Sequence, residues 1–288
     1  MTSAIEHPAV LAPCRALQNE GFALAILPVD ALGRVDWEAA ENEIDDTTLL
    51  VSVQAANSEI GTLQNVRALA DLAHERGAFV HCDAAQAVGK IPVSAREWDV
   101  DLLSLSAHKF GGPQGVGALF RRGGKGLALA PLAFGGGQEG GLRPGTLAVP
   151  LIVGLGAAAR LAEAEMPADS QKRSELRDEF ERRLQAAIPR LQINGDRAHR
   201  LPGASSLTFP GIEAEALLAH LPGLALSTGS ACSAGALEPS PVLTALGLDR
   251  EAAFATVRIG LGKGARREEI EVAAAHIAAA FERLLSLG

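Results

Sequence analysis

The chain has 288 residues, 48% apolar and 21% charged, enough for one large globular domain or two smaller ones. Its 34 acidic and 26 basic residues give a formal charge of −8, which argues against a nucleic-acid-binding surface. Charges scattered through the first thirty positions and the lack of a long apolar run argue against a secretory signal and a membrane helix, while three cysteines without CxxC spacing (Cys14, Cys82, Cys232) argue against disulfides and a metal site and fit a reducing cytoplasm.

In chain order, an opening helix precedes a series of short β-rich apolar runs at 22–28, 49–53, 78–82, 101–105 and 116–120, all read as buried strands. Amphipathic helices are expected at 36–44 and 64–76. In the second, Val66, Leu69, Ala70 and Ala73 share a face and Gly77 ends the helix. Such alternation predicts an α/β fold with a mainly parallel sheet covered by helices on both faces. Beyond the Gly-rich stretch 135–145 the pattern changes. Helices at 150–165 and 170–187 lead into short strands near 190–193, 205–209 and 256–260, accompanied by helices at 213–220, 240–246 and 267–285. The expected division is a large domain over 1–150 and a small α+β domain over 151–288.

Two segments carry chemistry. Asp83 follows one buried strand at its carboxyl end, and Ser106, His108 and Lys109 follow the next, at the edge where open α/β sheets bind ligands. A carboxylate and a lysine there suit an electrophilic cofactor: the amine forms an imine and the carboxylate keeps a pyridine nitrogen protonated. Ser106 and His108 are placed to donate hydrogen bonds to a phosphate. The bland reading makes Asp83 a helix cap and Lys109 a solvated loop residue; the run Ser106-Ala107-His108-Lys109 beside a glycine turn favours function. The second segment surrounds Cys232 with Ser, Gly and Ala, a composition for neither a stable helix nor a packed core, so this thiol is expected to be used. Cys14 and Cys82 read as small buried hydrophobes.

The motifs HCDAAQAVGKIPV and DLLSLSAHKFGGPQGVGAL, with TGSACS and LEPS around Cys232, resemble the cysteine desulfurases, in their long-loop group. That resemblance implies the pyridoxal-phosphate aminotransferase fold type I, with a large domain that is incomplete at its N-terminus because the family's Gly-Ala-Thr-Glu phosphate-binding turn is not found. A start codon assigned inside a longer reading frame is the expectation. The resemblance makes Lys109 the Schiff-base lysine for pyridoxal 5′-phosphate. It pairs Asp83 with the pyridine nitrogen and Gln86 with the phenolic oxygen, and puts Ser106 and His108 on the phosphate. Cys232 becomes the persulfide carrier. In SAIEHPA, His7 becomes the proton-shuttling residue over the ring, where the bland alternative is a surface histidine. Asn57 of QAANSEIG becomes a cofactor and substrate contact rather than a turn residue.

The resemblance also gives Arg258 of TVRIGLG the substrate carboxylate, for which an internal salt bridge is the rival. Thr146, at the end of GGGQEGGLRPGT, would reach the cofactor phosphate of a second subunit in a homodimer; composition alone reads that stretch as a linker. The implied activity is conversion of L-cysteine to L-alanine. Sulfur would pass through Cys232 to an acceptor protein, an iron–sulfur scaffold or a sulfur relay, and there is room for a transient cluster shared through Cys232. A selenocysteine lyase, another β-eliminating lyase of this fold, or a non-catalytic fragment that dimerises or binds partners are the alternatives.

Overall fold

A computed structural model describes residues 1–123, 127–229 and 238–286. The first half builds a six-stranded sheet from β1 (Thr2–Ser3), β2 (Ile26–Leu27), β3 (Leu50–Gln54), β4 (Phe79–Asp83), β5 (Leu102–Ser106) and β6 (Gly117–Arg121), in the order β2-β1-β3-β4-β5-β6. All neighbours are parallel except β6, which runs antiparallel to β5. Val51, Val53, Val80 and Cys82 in the central strands are fully buried, and the helix faces close over them. Helix α1 spans Pro8–Asn19, α2 Trp37–Glu43 and α3 Val66–Glu75. In α3 the expected stripe of Val66, Leu69, Ala70 and Ala73 is inside, Asn65 caps the start, and Gly77 follows its end at φ +79°.

Two expectations need correcting. The run at 22–28 yields only the two-residue β2, whose Ile26 is exposed. The run at 116–120 forms a strand but not a buried one: every residue of β6 is exposed, because among the described residues β5 is its only neighbour and it stands at the sheet edge.

The two helices expected at 150–165 and 170–187 are one, α4 (Val149–Ala187), which runs through Pro167. A proline removes one helix donor, and here packing at both ends outweighs that loss. Ala158 and Ala162 pack on Ala107 and Phe110 beside the first sheet. Leu176, Phe180 and Leu184 enter the core under a second sheet of β7 (Gln192–Ile193), β8 (Ala204–Thr208), β9 (Ser227–Thr228) and β10 (Thr256–Gly260). That sheet is antiparallel throughout, in the order β7-β8-β10-β9. Its helices are α5 (Ala214–Ala219), α6 (Pro241–Ala245), α7 (Arg250–Phe254) and α8 (Arg267–Leu285). A smaller apolar cluster joins the two halves: Ile5 and Ile60 pack with Val242, Leu243 and Leu246.

Candidate active site

Because β1, β3, β4 and β5 are parallel, their carboxyl ends open on one edge. Each end delivers part of the site. His7 follows β1 and Asn57 follows β3; Asp83 ends β4 with Gln86 in the next turn, and Ser106 ends β5, with His108 and Lys109 in the 3₁₀ turn Ala107–Phe110. Gly111, at φ +91°, closes that turn in a conformation costly for other residues.

Asp83 stands level with Gln54 on one side and Ser104 on the other. Its Oδ1 accepts the Ala85 backbone N–H at 2.9 Å, but residues 84–90 form a turn and not a helix, so Asp83 caps no helix, and its side chain is half-buried. Lys109 and His108 are exposed, and Ser106 Oγ lies 2.9 Å from His108 Nδ1.

The turn that presents His7 is pinned to β3. The Ile5 carbonyl accepts Gln54 Nε2 at 2.6 Å and Asn57 Nδ2 at 3.0 Å. Glu6 Oε1 accepts Ser3 Oγ at 2.5 Å and the Gln54 backbone N–H at 3.0 Å. Burial pushes the Glu6 carboxyl up to about 8, with Asp83 adding to the shift, and its Oε2 has no hydrogen-bond partner among the described residues. His7 itself is exposed and caps α1, its Nδ1 accepting the Ala9 N–H at 3.1 Å. Asn57 is buried and builds its own turn, Oδ1 accepting the backbone N–H groups of Glu59 at 2.8 Å and Ile60 at 3.1 Å.

Gln86 Oε1 accepts Lys90 Nζ at 2.6 Å. Burial lowers Lys90 to about 8, and Lys109, Arg173 and Arg258 push it the same way. A half-buried lysine within reach of three further cations makes an electrostatic setting that an anion relieves. Arg258 sits mid-strand in β10, opposite Ser206 and Ser227. It is half-buried and makes no hydrogen bond or ion pair among the described residues, so the internal salt bridge considered as its rival role is not found there.

The structure therefore gathers His7, Asn57, Asp83, Gln86, Ser106, His108 and Lys109 along one sheet edge, with Arg258 within the field of Lys90. It does not bring Thr146 to them: that residue is exposed, three positions before α4. Cys232 lies in 230–237, outside the described residues. Sequence reasoning missed Glu6, Glu59 and Lys90. Glu6 and Glu59 stand beside or two positions from His7 and Asn57, and that adjacency was the available signal.

This donor set fits pyridoxal phosphate. A strand-end carboxylate is available to a pyridinium and an exposed lysine on the next strand to an aldehyde, while adjacent serine and histidine side chains suit a phosphate. An arginine with no hydrogen bond or ion pair among the described residues suits the carboxylate of an amino acid.

Comparison with known proteins agrees. The aminotransferase class-V family matches residues 1–272. Cysteine desulfurase IscS of Rickettsia typhi is 42% identical over 287 residues, covering 100% of this chain and 70% of the relative, and that of Rickettsia prowazekii is 41% identical over the same span. Among solved structures, a NifS-like protein superposes with a TM-score of 0.88 at 37% identity, covering 100% of this chain and 74% of its own. DndA from Streptomyces lividans gives 0.78 at 38% identity, covering 90% and 73%. The fold is that of the pyridoxal-phosphate enzymes of fold type I. With that span matched in both sequence and structure, the chain belongs to the class-V aminotransferase family, among its IscS- and NifS-like cysteine desulfurase homologues.

Proposed function

We propose that the protein is a pyridoxal-phosphate-dependent cysteine desulfurase that converts L-cysteine to L-alanine and carries the sulfur on Cys232 as a persulfide. The observation that carries this reading is the common strand edge on which Asp83 ends β4 and Lys109 follows β5, with Lys109 and Arg258 both in the field of Lys90. The IscS and NifS-like relatives support it.

When bound, pyridoxal phosphate supplies an electron sink for charge developing at the amino acid's α-carbon. Lys109 would hold the cofactor and take the α-proton, and the Asp83 carboxylate would keep the pyridine nitrogen protonated. Ser106 and His108 would hold the phosphate, and Gln86 the phenolic oxygen. Arg258 offers a bidentate fork to the substrate carboxylate and Asn57 a side-chain amide. His7, exposed at the start of α1, is free to move a proton above the site. The Cys232 thiolate attacks the substrate sulfur: an S–S bond forms, the Cβ–S bond breaks, and its electron pair is protonated at Cβ to give the methyl group of alanine.

An acceptor protein, an iron–sulfur scaffold or a sulfur relay, then removes the persulfide. The reading includes a large domain over 1–150, a small domain over 151–288, a cytoplasmic location, and a homodimer in which Thr146 reaches the neighbouring subunit's phosphate site.

The test is an absorption spectrum of the protein with added pyridoxal phosphate, in wild type and Lys109→Ala. A band near the visible edge that the variant lacks, with sulfide released from L-cysteine and a reductant, is expected. A folded wild type with no such band sinks the proposal.

A further inference from the structure

Glu59 belongs to none of the roles above, yet it joins three elements around the carboxylate-binding arginine. It lies in the turn that Asn57 builds after β3, its backbone N–H held by Asn57 Oδ1 at 2.8 Å. From there the buried side chain crosses to the second half of the chain, where Glu59 Oε2 accepts Ser240 Oγ at 2.6 Å. Ser240 caps α6, so one hydroxyl serves the helix and the carboxylate together. The same Oε2 lies 3.2 Å from where a Cβ on Gly229 would stand, leaving space there only for glycine or a small shift. Gly229 comes two residues after Ser227, the cross-strand partner of Arg258. Glu59 thus rests against both described flanks of the Cys232 stretch and beside the β9–β10 pair that presents Arg258.

We propose that Glu59 is a positioning residue for substrate: it fixes the Ser240 and Gly229 flanks on the Asn57 turn and competes with the incoming carboxylate for Arg258. This rests on Arg258 being the carboxylate-binding residue. Among the described residues the groups facing Glu59 are few. Ser240 comes from α6 and Arg258 from β10, Asn57 lies in its own turn, and Ile60 and Leu243 pack nearby as apolar neighbours. Burial pushes the carboxyl up to about 7, and the Ser240 hydrogen bond and Arg258 pull it back. Below that pH Glu59 is neutral and leaves Arg258 to the substrate. Above it the carboxylate is charged and opposes a second carboxylate at the same guanidinium, so ligand binding takes up a proton.

The experiment measures binding of L-alanine, the sulfur-free product, to the holoenzyme by calorimetry from pH 6 to 8.5, in wild type and Glu59→Gln. The ratio of the two dissociation constants cancels titrations common to both. It should be near one at pH 6 and rise to about tenfold at pH 8.5, a factor of ten for each unit by which bound carboxylate raises Glu59. Ser240→Ala, which keeps the charge and removes the hydrogen bond, should move the midpoint to higher pH. A purely structural Glu59 would give a ratio that does not vary with pH, and that result overturns the proposal. Arg258→Ala separates the two readings: if alanine binds as tightly without the guanidinium, the assignment of Arg258 falls and this proposal with it.

Discussion

Arg200→Ala should be among the most damaging single changes in the protein, although Arg200 touches no candidate catalytic group. Its guanidinium meets Glu181 of α4 side by side, Nη1 to Oε1 at 2.6 Å and Nη2 to Oε2 at 2.7 Å, with side chains 2% and 0% exposed. Truncation leaves a carboxylate in the interior with Ser205 Oγ at 2.6 Å and Arg197 at 3.9 Å as its remaining partners. Breaking a buried pair from one side costs about 3–5 kcal/mol, and the surviving serine and arginine put the expectation near ~3 kcal/mol. For a chain of this size that corresponds to a fall in Tm of roughly 6–12 °C.

The loss also reaches the site. The backbone of Arg200 bridges to Thr62, and Leu63 and Leu201 exchange hydrogen bonds with His199 and Gly61, so this segment backs the turn that holds Asn57 and Glu59. Urea unfolding of wild type, Arg200→Ala and the double variant Arg200→Met/Glu181→Leu checks the argument. The double variant removes both charges and should recover most of the stability, since the penalty belongs to the charge left behind. A single variant within ~1 kcal/mol of wild type, or a double variant no better than the single, would refute the reasoning.

Glu6 gives a pH prediction. Its folded-state pKa, about 8, lies above the ordinary carboxylate value of 4.5, so the group's contribution is present below pH 4.5 and is lost as pH rises through 8. Glu6→Gln can still accept from Ser3 and the Gln54 backbone and should flatten that fall; urea midpoints at pH 5.5 and 8.5 that drop equally in both proteins would count against it. Gly195→Ala is expected to destabilise by about 2 kcal/mol or more. Gly195 sits at φ +87°, and a Cβ there would stand 2.9 Å from the Ile60 carbonyl oxygen and 2.8 Å from Thr62 Oγ1. An unchanged melting temperature would show that the segment around Thr62 has more give than this contact allows.

Much of the molecule was legible in the residues. Short continuous apolar runs gave β3, β4 and β5, and the 3.6-residue stripe gave α3, because burial writes itself into composition along the chain. The parallel sheet then followed from the alternation of strand and helix, and with it the common edge on which Asp83 and Lys109 stand. Local pattern could not reveal that β6 is an exposed edge strand, since edge position depends on which neighbour is absent. It could not fuse two helices across Pro167, because the compensation comes from packing against two separate cores.

Nor could it identify the groups that act at a distance. Arg258 reads as an arginine in an apolar strand, and only the tertiary structure shows that among the described residues it makes no hydrogen bond or ion pair and lies in the field of Glu59 and Lys90. Lys90 and Glu59 read as ordinary loop charges. Their unusual chemistry comes from burial against residues far away in the chain, such as Arg258, 168 positions beyond Lys90, and Ser240, 181 positions beyond Glu59. The sequence by itself determined which residues are capable of the chemistry and which strand ends carry them. The tertiary structure decided which of those charges meet, because desolvation and Coulomb energy depend on distance through space and not along the chain.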